Sequence, residues 1–216
     1  MAPARRVRKA GWNLRNWTKI PPALPGQRIG ILGGTFNPAH DGHRHISLMA
    51  LRRLRLQKVW WMVTPGNPLK DNDGLPPLDE RATYAEHVAR HPAITVSGLE
   101  AGIRTRFTYD TLAVLTQRFP ATRFVWLMGA DNLVQFHRWQ GWQEIARLMP
   151  IAVIDRPGSS LATRSSVAAQ ALARFRVREC DAGVLPLMKP PAWTFLHGPR
   201  SDLSSTAIRA GRQQAF

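Results

Sequence analysis

Short apolar runs alternate with segments of helical periodicity along most of this chain. Several of the runs, such as VWWMV, FVWLM and IAVI, are almost continuously apolar, which is typical of parallel strands that are covered on both faces. The predicted strands are Arg28–Leu32, Lys58–Val63, Ala93–Val96, Arg123–Leu127, Ile151–Ile154 and Ala192–Leu196. The predicted helices are Asp41 to about Arg55, Asp79–Arg90, Tyr109–Arg118, Gln140–Leu148, Ser165–Phe175 and Ser204–Gly211.

This alternation predicts an α/β fold, a Rossmann-like doubly wound parallel sheet with helices on both faces and a ligand at the carboxyl ends of the strands. A length of 216 residues suits one such domain. We expect the domain to cover residues 25–216. Residues 1–24 are predicted to be a basic, poorly ordered arm, because Pro21-Pro22 and Pro25-Gly26 break regular structure before the first strand.

Composition adds limits on the class of protein. An apolar content of 44% is ordinary for a folded domain and argues against wholesale disorder. The one cysteine, Cys180, excludes an internal disulfide and fits a reducing compartment. Apolar runs are too short to span a bilayer, and the N-terminus lacks the apolar segment of a secretory signal. We therefore expect a cytoplasmic protein with no membrane partner.

The formal net charge of +16 indicates polyanionic partners. Either a nucleic-acid-binding module or an enzyme with several anionic substrates would have this charge. The densest basic stretch lies in the arm, where a solvated tail is a simpler interpretation than a specific contact. Since the sequence contains no helix-turn-helix, zinc-finger or RNP-type pattern, the enzyme is favoured and no nucleic-acid partner is expected.

The most informative stretch is RIGILGGTFNPAHDGH, residues 28–43. A strand enters a Gly-Gly turn, and two histidines, His40 and His43, follow at the predicted start of a helix. Small residues let a polyanion approach the backbone, and a helix N-terminus adds free N–H groups. The two commonest phosphate motifs are absent. A zinc site from His40, Asp41, His43 and His45, or a purely structural turn, are the alternatives, but the order of strand, turn and histidines favours phosphate.

The arrangement GGTFNP-x-H-x-G-H resembles the signature of nucleotidyltransferases that share a class I aminoacyl-tRNA synthetase-like core. In that superfamily the two histidines lie beside the α- and β-phosphates of a nucleoside triphosphate. Four further segments resemble elements of the bacterial-type nicotinate mononucleotide adenylyltransferases: LSSTAIR at 203–209, the strand ending in GAD at 124–133, RFTYDTL at 106–112 and Trp139 within FHRWQGWQEI. The resemblance covers roughly residues 28–211. Asn37 departs from the aspartate usual in the family, which leaves the turn-forming capacity intact.

The resemblance implies a role for each matching residue. The implied catalytic residues are His43, His40 and Arg209. The implied ATP-binding residues are Gly33, Gly34, Thr35, Phe36, His40, His43, Asp131, Ser205, Thr206 and Arg209. The implied nicotinate mononucleotide-binding residues are Lys70, Thr108 and Trp139. Mg²⁺ is expected to enter with ATP, bridged by its phosphates and without protein side chains as ligands.

The implied reaction joins nicotinate mononucleotide to the AMP part of ATP by direct in-line attack, without a covalent intermediate. It yields nicotinate adenine dinucleotide and pyrophosphate, a step of NAD biosynthesis. A sister transferase that forms dephospho-coenzyme A or a CDP-alcohol is the alternative, because it would have the same triphosphate site. The acceptance of nicotinamide mononucleotide and the formation of a homo-oligomer stay open.

Overall fold

The computed structural model describes residues 17–67, 72–155 and 165–198. Within these ranges seven parallel strands form one sheet in the order β3-β2-β1-β4-β5-β7-β6. The strands are β1 (Arg28–Gly34), β2 (Lys58–Val63), β3 (Ile94–Ser97), β4 (Arg123–Gly129), β5 (Ile151–Ile154), β6 (Arg176–Val177) and β7 (Trp193–Leu196).

Helices fill the connections between most of these strands. The α-helices are α1 (Asp41–Arg53), α2 (Leu78–Ala89), α3 (Leu99–Ile103), α4 (Thr108–Arg118), α5 (Ala130–Gln135), α6 (Trp142–Leu148) and α7 (Val167–Ala171). Segments of 3₁₀-helix cover Phe136–Arg138, Ala173–Phe175 and Glu179–Leu187. None of the helices in the described ranges is long and apolar enough to cross a membrane.

Both faces of the sheet are buried, which explains the continuous apolar runs. Neighbouring residues of one strand enter opposite layers of the core: Trp60 packs in one cluster and Trp61 in the other, and both are almost fully buried. The predicted α/β fold with helices on both faces is confirmed.

The strand order reverses at β1, which lies between β2 and β4. Leu32 of β1 is in register with Trp61 of β2 on one side and with Leu127 of β4 on the other. The carboxyl ends of β1 and β4 therefore lie side by side. In open α/β sheets this switch point is where a ligand binds.

Some element bounds differ from the predicted ones. β1 and β4 each continue through the glycines at their carboxyl ends, to Gly34 and Gly129. The helix predicted over Ser165–Phe175 is shorter, because α7 ends at Ala171 and a 3₁₀ turn follows. β6, α3 and α5 were not predicted, and the helix predicted over Ser204–Gly211 lies outside the described residues.

Residues 17–24 correct the prediction of a poorly ordered arm over residues 1–24. The carbonyl oxygen of Trp17 accepts hydrogen bonds from the Gly98 N–H at 2.9 Å and from the Ser97 hydroxyl at 3.2 Å. Ile20 and Ala23 pack against the core. Their apolar contacts and these hydrogen bonds hold the segment on the domain, so the folded unit begins before residue 25. Residues 1–16 lie outside the described part.

Candidate active site

Two glycines end β1, and each has a different steric environment. A Cβ atom added to Gly33 would lie 2.5 Å from Cη2 of Trp126, so the indole ring already requires glycine at this position. The three atoms nearest to a Cβ atom added to Gly34 all belong to Phe36, its ring at an ordinary 3.6 Å and its backbone nitrogen at 3.9 Å. Within the described part of the chain, no atom lies close enough to exclude a Cβ at Gly34, which leaves room beside this glycine.

The histidine pair forms a reciprocal cap at the start of α1. His40 is the N-cap residue, and its Nδ1 accepts the Gly42 N–H at 3.1 Å. His43 occupies the third helical position, and its Nδ1 accepts the His40 N–H at 3.3 Å. The two ring centroids are 4.0 Å apart. Imidazoles thus take the places that serine and glutamate hold in the common capping box.

These backbone hydrogen bonds assign the tautomer of both rings. An Nδ1 atom that accepts an N–H carries no proton, so in the neutral imidazole the proton is on Nε2. Each of the two rings therefore offers an Nε2–H donor. Since phosphate oxygens only accept hydrogen bonds at neutral pH, the pair has the donor chemistry that a phosphate chain requires.

Packing and a short hydrogen-bond relay hold the His43 ring in place. Its centroid is 4.6 Å from that of Phe36 and 5.9 Å from that of Trp61. The Trp61 indole N–H donates to the Ser47 hydroxyl at 2.7 Å, and that hydroxyl donates to the His43 carbonyl at 2.8 Å. The ring contacts support the His43 side chain, and the relay holds its backbone carbonyl.

Arg81 of α2 is a buried cation beside the glycine turn, and the sequence analysis did not identify it. It is 4% exposed, and its guanidinium donates to four backbone carbonyl groups. These belong to Thr35 (2.7 Å), Thr64 (2.8 Å), Pro65 (3.3 Å) and Pro76 (2.8 Å). Burial lowers the pKa of this guanidinium from its usual value. Nothing in the local sequence marks the residue, because its acceptors come from distant parts of the chain.

Across the switch point, the end of β4 carries the predicted nucleotide-binding carboxylate. Gly129 ends the strand, and the exposed Asp131 follows in the first turn of α5. Because β1 and β4 are neighbours, Asp131 lies at the same sheet edge as the glycine turn.

Chain neighbours of Trp139 and Thr108, namely Gly141 and Tyr109, contact each other. Trp139 is half-buried, and its ring makes a T-shaped contact with Trp126, with 6.2 Å between centroids. Tyr109, which follows Thr108 at the start of α4, packs 3.2 Å from a Cβ position on Gly141. The same Trp126 ring contacts Gly33, so one continuous layer of contacts joins the Trp139 region to the glycine turn.

Four predicted site residues cannot be placed. Lys70, Ser205, Thr206 and Arg209 lie outside the described residues. Within residues 17–67, 72–155 and 165–198, no group of three or more His, Cys, Asp or Glu side chains is placed to hold a metal ion.

Comparison with known proteins gives a consistent family. The cytidylyltransferase-like family matches residues 31–211. A probable nicotinate-nucleotide adenylyltransferase of Methylorubrum extorquens is 60% identical over 182 residues, which are 84% of this chain and 98% of the relative. A probable nicotinate-nucleotide adenylyltransferase of Brucella abortus is 56% identical over 181 residues, which are 84% of this chain and 93% of the relative.

Solved structures agree on the fold. Nicotinic acid mononucleotide adenylyltransferase of Plasmodium falciparum, complexed with NaAD, superimposes with a TM-score of 0.65 at 16% sequence identity. The match covers 85% of this chain and 83% of the other. Together with the close sequence relatives, these comparisons show that the chain belongs to the nicotinate-nucleotide adenylyltransferases of the cytidylyltransferase-like family.

Proposed function

We propose that this protein transfers the adenylyl group of ATP to nicotinate mononucleotide, with nicotinate adenine dinucleotide and pyrophosphate as products. The observation that carries the proposal is the pair of histidines beside the open glycine turn. Both rings accept a backbone N–H at Nδ1, so Nε2 carries the proton in each neutral ring, and the helix that they start follows β1 at the switch point of the sheet. The high identity to named adenylyltransferases supports the substrate pair.

The reaction needs positioning more than acid–base chemistry. An oxygen of the mononucleotide phosphate attacks the α-phosphorus of ATP, and the bond from that phosphorus to the bridging oxygen breaks. Pyrophosphate leaves with the bonding electron pair. The nucleophile is already an anion, so no general base is required. The protein must hold two repelling anions in line and stabilise the charge that develops on the phosphate oxygens.

Within this scheme His43 donates to the α-phosphate in the transition state, and His40 donates to the triphosphate nearby. Gly33, Gly34 and Thr35 allow close approach of the phosphates, and the Phe36 ring supports His43. The remaining ATP contacts are proposed from the family resemblance: Asp131 for nucleotide binding, and Ser205, Thr206 and Arg209 for the β- and γ-phosphates.

The mononucleotide is proposed to bind beside Trp139. The indole ring would stack on the pyridine, and Thr108 would lie near the ring and ribose. Tyr109, next to Thr108, packs on the segment that carries Trp139, which supports a shared binding surface. Lys70 would supply a cation for the phosphate or the carboxylate of this substrate.

Mg²⁺ is proposed to arrive as the ATP complex and to supply charge neutralisation on the phosphate chain. The described donors around the glycine turn are imidazole N–H and backbone N–H groups. They suit phosphate oxygens, whereas Mg²⁺ prefers oxygen ligands. This donor set fits an ion that the phosphates themselves carry.

Product identification tests the proposal directly. The protein is incubated with ATP, Mg²⁺ and one acceptor, either nicotinate mononucleotide or phosphopantetheine, and the products are separated by chromatography and weighed by mass spectrometry. We expect nicotinate adenine dinucleotide from the first acceptor and no dephospho-coenzyme A from the second. Dephospho-coenzyme A as the main product would assign the chain to a sister reaction.

A further inference from the structure

Arg81 has an unusual combination of burial, charge and partners. It is 4% exposed, and all four of its hydrogen bonds go to neutral backbone carbonyl groups. In the described part of the chain, no ion pair involves Arg81. A buried guanidinium is normally paired with a carboxylate, since an uncompensated charge in the interior is costly. Here four of the five N–H donors have carbonyl acceptors, and no carboxylate within the described residues neutralises the charge.

The acceptors of Arg81 include the residues that directly follow two neighbouring strands, β1 and β2. Thr35 follows the glycine turn after β1, and Thr64 follows β2 directly. The Thr64 N–H also donates to the Gly34 carbonyl at 2.9 Å. One guanidinium therefore clamps the ends of two neighbouring strands together, at the point where the phosphates of ATP are proposed to bind.

The bond to Thr35 also fixes the direction of an amide group. In a planar trans peptide the carbonyl and the next N–H point in opposite directions. Because the Thr35 carbonyl points at Arg81, the N–H of Phe36 points away from it. The Phe36 nitrogen lies 3.9 Å from a Cβ position on Gly34, so it borders the open space beside that glycine.

Phe36 has an unfavourable backbone conformation. Its φ angle of +48° is in the left-handed region, which a bulky residue rarely adopts. Such a conformation persists only where the surrounding structure enforces it. The Arg81 bond on its N-terminal side and the ring contacts with His43 and Trp61 supply that enforcement.

We propose that Arg81 is a positioning residue of the triphosphate site, which fixes the Thr35–Phe36 peptide and leaves its own positive charge to be balanced by the phosphates of ATP. The proposal rests on the proposed function, since it needs ATP at this edge. It distinguishes two parts of the site: the triphosphate contacts at the glycine turn depend on Arg81, whereas the contact at Trp139 shares none of the hydrogen bonds that Arg81 makes.

The test uses two variants. Arg81→Met removes the positive charge and the guanidinium N–H donors, and Arg81→Lys keeps the charge but loses the guanidinium geometry that bonds several carbonyl groups at once. Arg28→Met is the matched control, because it removes a partly buried arginine from the opposite end of β1. For each variant the KM for ATP, the KM for nicotinate mononucleotide and the inhibition constant of pyrophosphate are measured. Circular dichroism and thermal unfolding check that each variant is folded.

For Arg81→Met we expect the KM for ATP and the inhibition constant of pyrophosphate to rise about tenfold or more, as loss of charge-assisted hydrogen bonds implies. The KM for nicotinate mononucleotide should rise clearly less than the KM for ATP, because Trp139 shares no hydrogen bond with Arg81 and, of the proposed mononucleotide contacts, only Lys70 lies between two of its acceptors in the sequence, Pro65 and Pro76. The KM for ATP of Arg81→Lys should lie between those of Arg81→Met and the wild type. The KM values of Arg28→Met should equal those of the wild type.

If the KM values of Arg81→Met for ATP and for nicotinate mononucleotide rise equally, Arg81 has a general structural role and the proposal is overturned. An unchanged KM for ATP would overturn it as well. If Arg81→Met does not fold, Arg81→Lys decides by the same comparison of the two KM values. A wild-type protein that makes no nicotinate adenine dinucleotide overturns the proposed function and this proposal together. If the wild type is active but the Arg81 variants change both KM values equally, this proposal alone is overturned.

Discussion

At the scale of single residues, the site depends on which atom of each histidine faces the substrate. The capping bonds to Nδ1 occupy one nitrogen of His40 and one of His43, and thereby leave Nε2–H as the donor of each neutral ring. The same bonds start α1, so the residues that hold the helix also present the donors. Local sequence was sufficient to predict the pair, because all partners lie within three residues.

His43→Ala tests the donor at the α-phosphate. We expect kcat to fall by about 10²–10³ or more, which is the cost of losing one preorganised donor at a developing charge. The measurement is steady-state turnover at saturating ATP and nicotinate mononucleotide. His87→Ala, an exposed histidine on α2, is the control and should keep normal turnover. Near-normal kcat in His43→Ala would remove this residue from the chemistry.

The two glycines of the turn should respond differently to alanine. Gly33→Ala forces a Cβ against the Trp126 ring, so we expect a loss of about 1–3 kcal/mol in unfolding free energy. Gly34→Ala has room in the protein and should change stability little, but it should raise the KM for ATP if phosphate approaches there. Urea unfolding and ATP kinetics of both variants give the comparison. An unchanged KM for ATP in Gly34→Ala would place the phosphates elsewhere.

At the scale of elements, the sequence predicted the strands and helices whose apolar pattern is long enough to read. β6 has two residues, too short for periodicity, and it forms because it pairs with β7. Residues 17–24 pack against distant parts of the chain, and three of the four acceptors of Arg81 lie 16 or more residues away, so no local pattern reveals them. Asp131 was predicted from a motif, whereas the helix α5 that carries it was not.

Short helix α3 carries a buried carboxyl group that makes stability depend on pH. Glu100 is 3% exposed, and burial raises the pKa of its carboxyl to about 7, although the hydrogen bond from Thr111 opposes the shift. The folded state therefore holds the proton more tightly than the unfolded state. Stability should be greatest below the unfolded pKa of 4.5 and should fall as the pH rises through about 7.

Glu100→Gln should remove this pH dependence. We expect its unfolding free energy above pH 7 to exceed that of the wild type by up to roughly 3 kcal/mol, the linkage value of such a shift. Urea unfolding at pH 5 and pH 8 measures it. Glu86→Gln, an exposed residue of α2, is the control and should follow the wild type. If the unfolding free energy of Glu100→Gln falls between pH 5 and pH 8 as much as that of the wild type, the assignment to Glu100 is contradicted.

At the scale of the whole molecule, the site lies where the order of the sheet reverses. Crossover connections bring the end of β1, the end of β4 and the start of α4 to one edge, although these segments are far apart in the chain. Both proposed substrates are anions, and a net charge of +16 favours their encounter with the protein. The whole-chain charge therefore suits an enzyme that acts on anionic nucleotides.

The central claim is adenylyl transfer to nicotinate mononucleotide, and pyrophosphate release tests it most directly. Release from ATP and Mg²⁺ is measured with nicotinate mononucleotide and then with nicotinamide mononucleotide under identical conditions. We predict strong turnover with the first acceptor and little with the second. Equal turnover would keep the chemistry and refute the substrate preference. No release with either acceptor, from protein shown to be folded, would contradict the account.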